Sequence, residues 1–339
     1  MMDLNTAWFL LIGLLITGYA ILDGFDFGVG ILHLFAKTNH ERRIHLNAIG
    51  PVWDGNEVWL LTGGGALFAA FPIVYATVFS GFYIALMLLL AALIFRAVSL
   101  EFRGKVDSTG WQSFWDWSFG LGSLLPSVLF GVAVGNVIKG VPIAADGAYV
   151  GIFFGLLNPY SILVGITSLV LFTMHGALYM GIKTEGELQK RMGRWASGGW
   201  IAFVIVYFLV TLYTFFAAPH LFDGILGKPL FWVFFILLLA SIIYIPLATK
   251  AEKYFRAFLS SSVTILSMIG LAAVSMYPKL VVSSIDIASS LTIYNASSTD
   301  KTLTVMLYIA LIGMPIVLAY TFIIYWIFRG KTVIAEDSY

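Results

Sequence analysis

The stretch WFLLIGLLITGYAILDGFDFGVGILH, residues Trp8–His33, decides the fold. Its apolar length is more than the roughly 20 residues needed to cross about 30 Å of hydrocarbon. It nevertheless carries Asp23 and Asp26. An ionised carboxylate at the bilayer centre costs about 2.5–3.5 kcal/mol on insertion scales, so such a residue faces a bundle interior rather than lipid. The stretch therefore predicts a membrane span together with neighbouring helices that shelter its acids.

Composition extends this to the whole chain. The 339 residues are 60% hydrophobic and 11% charged, with a mean hydropathy of +0.93, where a soluble domain holds roughly 25% charged residues. Nineteen basic and 18 acidic residues leave a net charge of +1, without the basic excess that marks nucleic-acid binders, so no nucleic acid is expected as a partner. The absence of cysteine removes disulfides, thiolate metal sites, iron–sulfur clusters and covalently attached haem c. Any cofactor would have to be held by His, Met or carboxylates. Met1 to Thr6 carries no basic run and no clear cleavage site follows, so no removable signal peptide is expected and the first span reads as a retained helix.

Runs of about 20 apolar residues give nine candidate spans: 8–33, 47–71, 73–95, 114–138, 159–181, 199–217, 230–248, 258–276 and 304–328. The positive-inside rule tests that count independently. With the N-terminus outside and the C-terminus cytosolic, fifteen basic residues fall in cytosolic segments, and only Lys139, Lys228, Lys279 and Lys301 fall outside. Omitting the second span, which contains Asp54, Asn56 and Glu57, scrambles this partition. The expected fold is an all-α integral membrane protein of about nine transmembrane helices, arranged as two four-helix bundles plus one extra helix. It forms a single polytopic membrane domain over residues 1–339. Trp8 and Trp232 near one face, with Trp111, Trp115, Trp195 and Trp326 near the other, fit an aromatic belt.

Local punctuation agrees. Asn158 and Pro159 form an N-cap and first-turn pair, Thr38 and Glu41 suit a capping box on a short interfacial helix, and Pro72 separates the second span from the third. Residues 277–300, rich in Ser, Ala and Thr, read as a loop or partly helical lid. The pairs Gly24 and Gly28, Gly131 and Gly135, the set Gly147, Gly151 and Gly155, and the cluster Gly63, Gly64, Gly65 read as faces where helices approach closely. The cluster lacks the lysine and strand context of a phosphate loop.

The chemistry concentrates in two places. Asp23 and Asp26 in the first span, and Asp54 and Glu57 in the second, are each spaced i,i+3 and so share a helical face. Counted at about 1.5 Å per residue from the cytosolic ends, Asp26 and Asp54 each lie roughly 10 Å deep and Asp23 and Glu57 roughly 15 Å. Packed together, the two helices would stack the acids in two matched tiers opening to the cytosol. Like charges this close cannot all ionise, so some are expected to hold protons near neutral pH, as a proton-conducting chain requires. The alternative is structural: Asp54 or Asn56 satisfies backbone groups at a helix break beside Gly55, or Asp26 pairs with an arginine such as Arg96. Asp116 reads as a solvated or capping carboxylate.

Of five histidines, His40, His45 and His220 read as loop or interface residues and His33 lies near a membrane end. His175, within the fifth span, could contact haem or lipid, but the favoured reading is a bond to a backbone carbonyl one turn away. No pair of histidines at matched depth points to haem b, and no cluster points to a metal.

These residues carry a resemblance. Gly18–Gly30 (GYAILDGFDFGVG), Glu41–Ile44 (ERRI), Trp53–Leu60 (WDGNEVWL) and Gly63–Ala70 (GGGALFAA) are similar to subunit II of the cytochrome bd-type quinol oxidases, as are Phe79–Tyr83 (FSGFY) and Trp115–Trp117 (WDW). The likeness is dense from Gly18 to Asn136 and thinner through Leu157–Pro159, Tyr277, Pro278 and residues 289–298. It implies a respiratory terminal oxidase of the bacterial cytoplasmic membrane that oxidises quinol and reduces dioxygen to water. It further implies that haems b and d belong to a partner, subunit I, with no cofactor bound by this chain, and that a small single-helix third subunit and membrane lipid are further partners. On the resemblance this chain supports the haem-bearing subunit and supplies a cytosolic-side proton uptake path through Asp23, Asp26, Asp54 and Glu57, without catalysing the reaction alone. Two rivals stand beside it: a proton- or cation-coupled secondary transporter using the same buried acids, and a scaffold subunit in which the acids are dispensable.

Overall fold

The computed structural model describes residues 3–334. In chain order its helices are α1 (Leu4–His33), α2 (Asn39–Ile49), α3 (Trp53–Ala70), α4 (Pro72–Gly81), α5 (Tyr83–Phe102) and α6 (Thr109–Lys139). There follow α7 (Pro159–Lys183), α8 (Gly186–Ala217), α9 (Pro229–Lys250), α10 (Tyr254–Met276) and α11 (Asp300–Ile327). Two short strands, β1 (Lys279–Val281) and β2 (Leu291–Thr292), pair antiparallel between α10 and α11.

Among the described residues eight helices, α1, α5 to α10 and α11, are long and apolar enough to cross a membrane. The second expected span departs from its predicted bounds. Pro51 disfavours helix at the residue before it, so Asn47 to Ile49 close α2, and α3 begins only at Trp53, with 18 residues. Its polar first turn lowers its hydropathy. Even so α3 runs the length of the bundle antiparallel to α1: Asn56 bonds Leu22 O, Trp59 lies over Gly18, and Leu15 lies by Gly63.

The third span is also corrected. It divides at buried Phe82 into α4 and α5 and continues to Phe102. The cause is a distant loop: Tyr149 packs against Gly81, and Thr77 Oγ1 donates to Gly147 O at 2.6 Å. Gly147, Gly151 and Gly155 therefore do not mark helix faces. They lie in the segment between α6 and α7, where Gly147 has φ +84°. The lid expected over 277–300 is a small hairpin, anchored by Val141 N donating to Val282 O at 2.9 Å and Ser298 N to Ala70 O at 2.8 Å. Trp8 leaves the predicted aromatic belt; it is buried and donates its indole N–H to Leu303 O at 3.0 Å. Trp115 is buried too.

Other punctuation holds. Asn158 Oδ1 accepts from Ser161 N at 3.1 Å to cap α7, and Thr38 Oγ1 accepts from Glu41 N at 3.2 Å to cap α2. Glu41 closes the box one residue early, on Lys37 N at 2.7 Å, and pairs with Arg191 of α8 at 2.5 Å. That ion pair helps hold α2 across the end of the bundle.

Helices α1, α3, α4, α5 and α6 pack as one series and α7 to α10 as another, with α11 against α1 and α3. The groups join where glycines meet. A Cβ on Gly28 would lie 2.0 Å from Phe172 O, one on Gly176 2.5 Å from Gly28 C, and one on Gly131 2.7 Å from Gly165 Cα. Helix backbones touch there because no side chain intervenes, which is how helices associate when lipid offers no hydrophobic gain.

The bundle end opposite the hairpin is fastened by Asp116, whose reading as a solvated carboxylate is overturned. It is 4% exposed and bonds His33 Nε2 (2.6 Å) from α1, Arg42 Nη1 (2.6 Å) from α2, and Arg103 Nε (2.5 Å) from the end of α5. Arg103 also reaches Asn39 Oδ1 at 2.6 Å. Charge-assisted bonds of this kind are about twice as strong as neutral ones, and here they tie four helices.

Gly176→Val should separate α1 from α7. Because backbone rather than a flexible side chain would be struck, we expect a loss of about 2 kcal/mol or more, read as a lower thermal midpoint of the solubilised protein. Gly104→Ala, with nothing within 4 Å of its added carbon, should leave the midpoint unchanged.

Candidate functional site

The buried stripe of α5 runs Leu89, Ala92, Arg96, Ser99, with Leu100 beside it, a helical spacing that puts Arg96 in phase with the core. The opposite side of the helix exposes Leu88, Leu90, Ile94 and Phe95. Gly122 of α6 lets α5 approach closely; a Cβ there would lie 2.7 Å from Ala92 O. Arg96 is 0% exposed, and its guanidinium sits 4.4 Å from the centroid of the Phe27 ring.

Three of the four predicted acids gather around this cation. Asp23 takes it with two oxygens, Oδ1 from Nη2 at 2.5 Å and Oδ2 from Nη1 at 3.1 Å. Glu57 Oε1 accepts from Nη1 at 2.9 Å. Asp26 Oδ2 stands 3.9 Å from Nη2 and is held instead by Asn56 Nδ2 at 2.7 Å. Asn56 is itself oriented by Leu22 O at 3.1 Å and by the Tyr325 hydroxyl of α11, which donates to its Oδ1 at 2.9 Å. Asp23, Asp26 and Arg96 are wholly buried, and the Glu57 side chain is 24% exposed.

The deep tier thus comes together as Asp23, Glu57 and Arg96. The shallow one does not: Asp26 turns to Asn56, while Asp54 is exposed in the first turn of α3. The buried stripe of α3 is Asn56, Trp59, Gly63 and Ala70; Glu57 lies at its edge and Asp54 off it. Within this chain the acids make a line from the side of the molecule inward, Asp54 to Glu57 to Asp23 and Asp26.

Arg96, counted by the charge partition among the cytosolic basic residues and expected at most to pair with Asp26, lies instead in the interior. The signal that places it was its phase with Leu89, Ala92 and Ser99. Asn56, expected to satisfy a helix break, holds Asp26 instead, a role with no signal short of the α1 and α3 register.

The donor chemistry of the histidines bears on haem. His175 uses both ring nitrogens, Nδ1 with Ser261 Oγ at 2.5 Å and Nε2 with Ile21 O at 3.1 Å, and its ring stacks on Phe258 at 4.4 Å. The carbonyl comes from α1 rather than from one turn away. Neither nitrogen is left to ligate iron. Among the described residues no group of three or more His, Cys, Asp or Glu could hold a metal ion.

Fold and site together define an all-helical integral membrane protein whose charged side chains converge on an interior cation. Comparison narrows this. Residues 4–328 match the family described as cytochrome bd terminal oxidase subunit II. The chain is 38% identical to cytochrome bd-I ubiquinol oxidase subunit 2 of Escherichia coli, an alignment covering 98% of this chain and 96% of that one. It is also 38% identical to cytochrome bd ubiquinol oxidase subunit 2 of Bacillus subtilis, covering 98% and 97%. In structure it resembles a chain of the bd oxidase from Geobacillus thermodenitrificans, with a TM-score of 0.77 and 16% identity over 96% of this chain and 99% of that one. The chain belongs to the cytochrome bd terminal oxidase subunit II family. The secondary-transporter reading gives way to that membership.

Arg96→Leu would leave Asp23 and Glu57 in the interior without their shared cation. Breaking a buried ion pair from one side costs about 3–5 kcal/mol, so the variant should accumulate poorly, measured as the yield of monodisperse protein from membranes. Arg96→Lys, which keeps the charge but cannot match both oxygens of Asp23, should fall between.

Proposed function

We propose that this chain acts as the second subunit of a bd-type quinol:oxygen oxidoreductase in a bacterial cytoplasmic membrane, bracing a haem-bearing subunit I and passing protons inward through Asp54, Glu57, Asp23 and Asp26. The relatives in Escherichia coli and Bacillus subtilis are named as subunits of ubiquinol oxidases, which supports quinol as the substrate of the complex. Haems b and d are assigned to the partner. For His175, the engagement of both ring nitrogens supports that division. The membrane topology is nine crossings in one polytopic domain over 1–339, with the N-terminus outside and the C-terminus cytosolic, α3 serving as the ninth crossing. A small single-helix subunit and lipid complete the assembly.

One observation carries the proton reading: three carboxylates share a single buried guanidinium. In a low-dielectric interior one cation does not balance three anions, so the cluster retains a proton that can move among its oxygens. Asp54 supports the partner. An exposed carboxylate on α3, a helix that runs the length of the bundle, is expensive against lipid and tolerable against a protein face carrying polar groups. The line of acids would then open onto the boundary between the two subunits.

The test is turnover of the complete complex. Asp26→Asn and Asp54→Asn should each slow quinol oxidation by about 10²-fold, the lower range for loss of a proton-transfer group, with assembly and haem spectra intact. Wild-type turnover and proton uptake in both would instead establish the acids as scaffold.

A further inference from the structure

A second polar column leads to Asp26 from the end of the bundle. His45 of α2 is 0% exposed, and neither ring nitrogen has a hydrogen-bond partner among the described residues. His33, also 0% exposed, lies with its ring centroid 5.9 Å from that of His45. Its Nε2 is committed to Asp116, and Nδ1 has no partner among the described residues. Two wholly buried imidazoles thus present three ring nitrogens without a partner among the described residues, and buried waters sit where several polar groups lack partners.

The column continues upward. Asp26, Gly30 and His33 follow one face of α1 at successive turns, so Asp26 lies about 10.5 Å above His33 by the helical rise. Midway, the Ser123 hydroxyl presses directly on the α1 backbone: a Cβ on Gly30 would lie 2.0 Å from Ser123 Oγ. Ser123 spends its proton on Phe119 O at 2.8 Å, leaving its lone pairs free. Above it, Asp26 Oδ1 has no partner among the described residues.

We propose that His45 and His33 form a proton relay that loads Asp26 from the bundle end through Ser123, separate from the lateral line through Asp54. This rests on the proposed role of Asp26 in proton uptake. A proton from bulk water binds one nitrogen of His45 as the other releases its own to a bridging water. His33 accepts at Nδ1, and the resulting imidazolium is stabilised by Asp116 at Nε2. It then gives that proton to the Ser123 oxygen, as the hydroxyl turns from Phe119 O and passes its own proton toward Asp26 Oδ1. No electron moves; at each step one N–H or O–H bond forms as another breaks. The groups facing His45 are His33 and Arg191, and those facing His33 are Asp116, Arg103 and Arg42. Burial, with His33 and Arg191 nearby, pushes the His45 imidazole well below 6.5, so it rests neutral, with one nitrogen to donate and one to accept.

The experiment uses the complete oxidase in liposomes, reading turnover and fast proton uptake with a pH dye across the pH range. His45→Gln fills much the same volume and still bonds water, but its amide does not exchange protons by ionising. Ser123→Ala removes only the midway oxygen. Each should slow proton uptake on the order of tenfold, with a deficit that widens as pH rises and protons become scarce. If both variants run at the wild-type rate while Asp26→Asn is slow, the relay is overturned and the proposed function stands. If Asp26→Asn also runs at the wild-type rate, the proton reading fails and the relay with it. A deficit equal at every pH marks a packing role and overturns the relay. Should His45→Gln not assemble, Ser123→Ala decides.

Discussion

Everything at the centre of this protein depends on keeping one guanidinium out of water. Arg96 is 0% exposed, in a part of the molecule where an unpaired charge would cost several kcal/mol. Asp23 and Glu57 supply opposite charge with hydrogen-bond geometry, and the face of Phe27 supplies a further attraction. Meeting that requirement fixes the surrounding architecture. Helix α5 must approach α6 at Gly122, α1 must turn the face bearing Asp23 inward, and α3 must bring Glu57 alongside.

Arginine suits the site better than lysine. Its planar fork engages both oxygens of Asp23 and still reaches Glu57. The ion cluster around Asp116 repeats the principle at the end of the bundle with the charges reversed, one carboxylate serving two arginines and a histidine. The two clusters differ in what they leave open. Asp116 is saturated and its arginines are held, which suits a clasp. Asp26, beside Arg96, keeps an oxygen without a partner among the described residues, which suits a group that gains and loses a proton.

Much of this was legible in the amino-acid order. The apolar runs located most of the long helices to within about two turns, because a span's length is imposed by the bilayer. But α8 begins at Gly186, 13 residues before the predicted 199, because its polar first turns carry no apolar signal. The glycines Gly28 and Gly131 announced tight helix contacts. The limits have physical causes. The break at Phe82 is made by Tyr149 and Gly147 from a distant loop, and a local pattern holds no trace of it. Asp54 shares a helical face with Glu57, yet the i,i+3 spacing leaves them far enough apart around α3 for one to meet the core and the other to leave it. Asp116 lies between Trp115 and Trp117 near a helix start, where solvation is the common fate. Only the tertiary meeting of α1, α2 and α5 buries it.

The claim that a proton resides in the cluster and moves during turnover is open to direct measurement by infrared difference spectroscopy of the whole complex. Reduction and reoxidation should change a carboxylic acid C=O stretch that shifts in heavy water and vanishes in Asp26→Asn. A difference spectrum without a carboxylic acid band, or with one indifferent to that substitution, would contradict it.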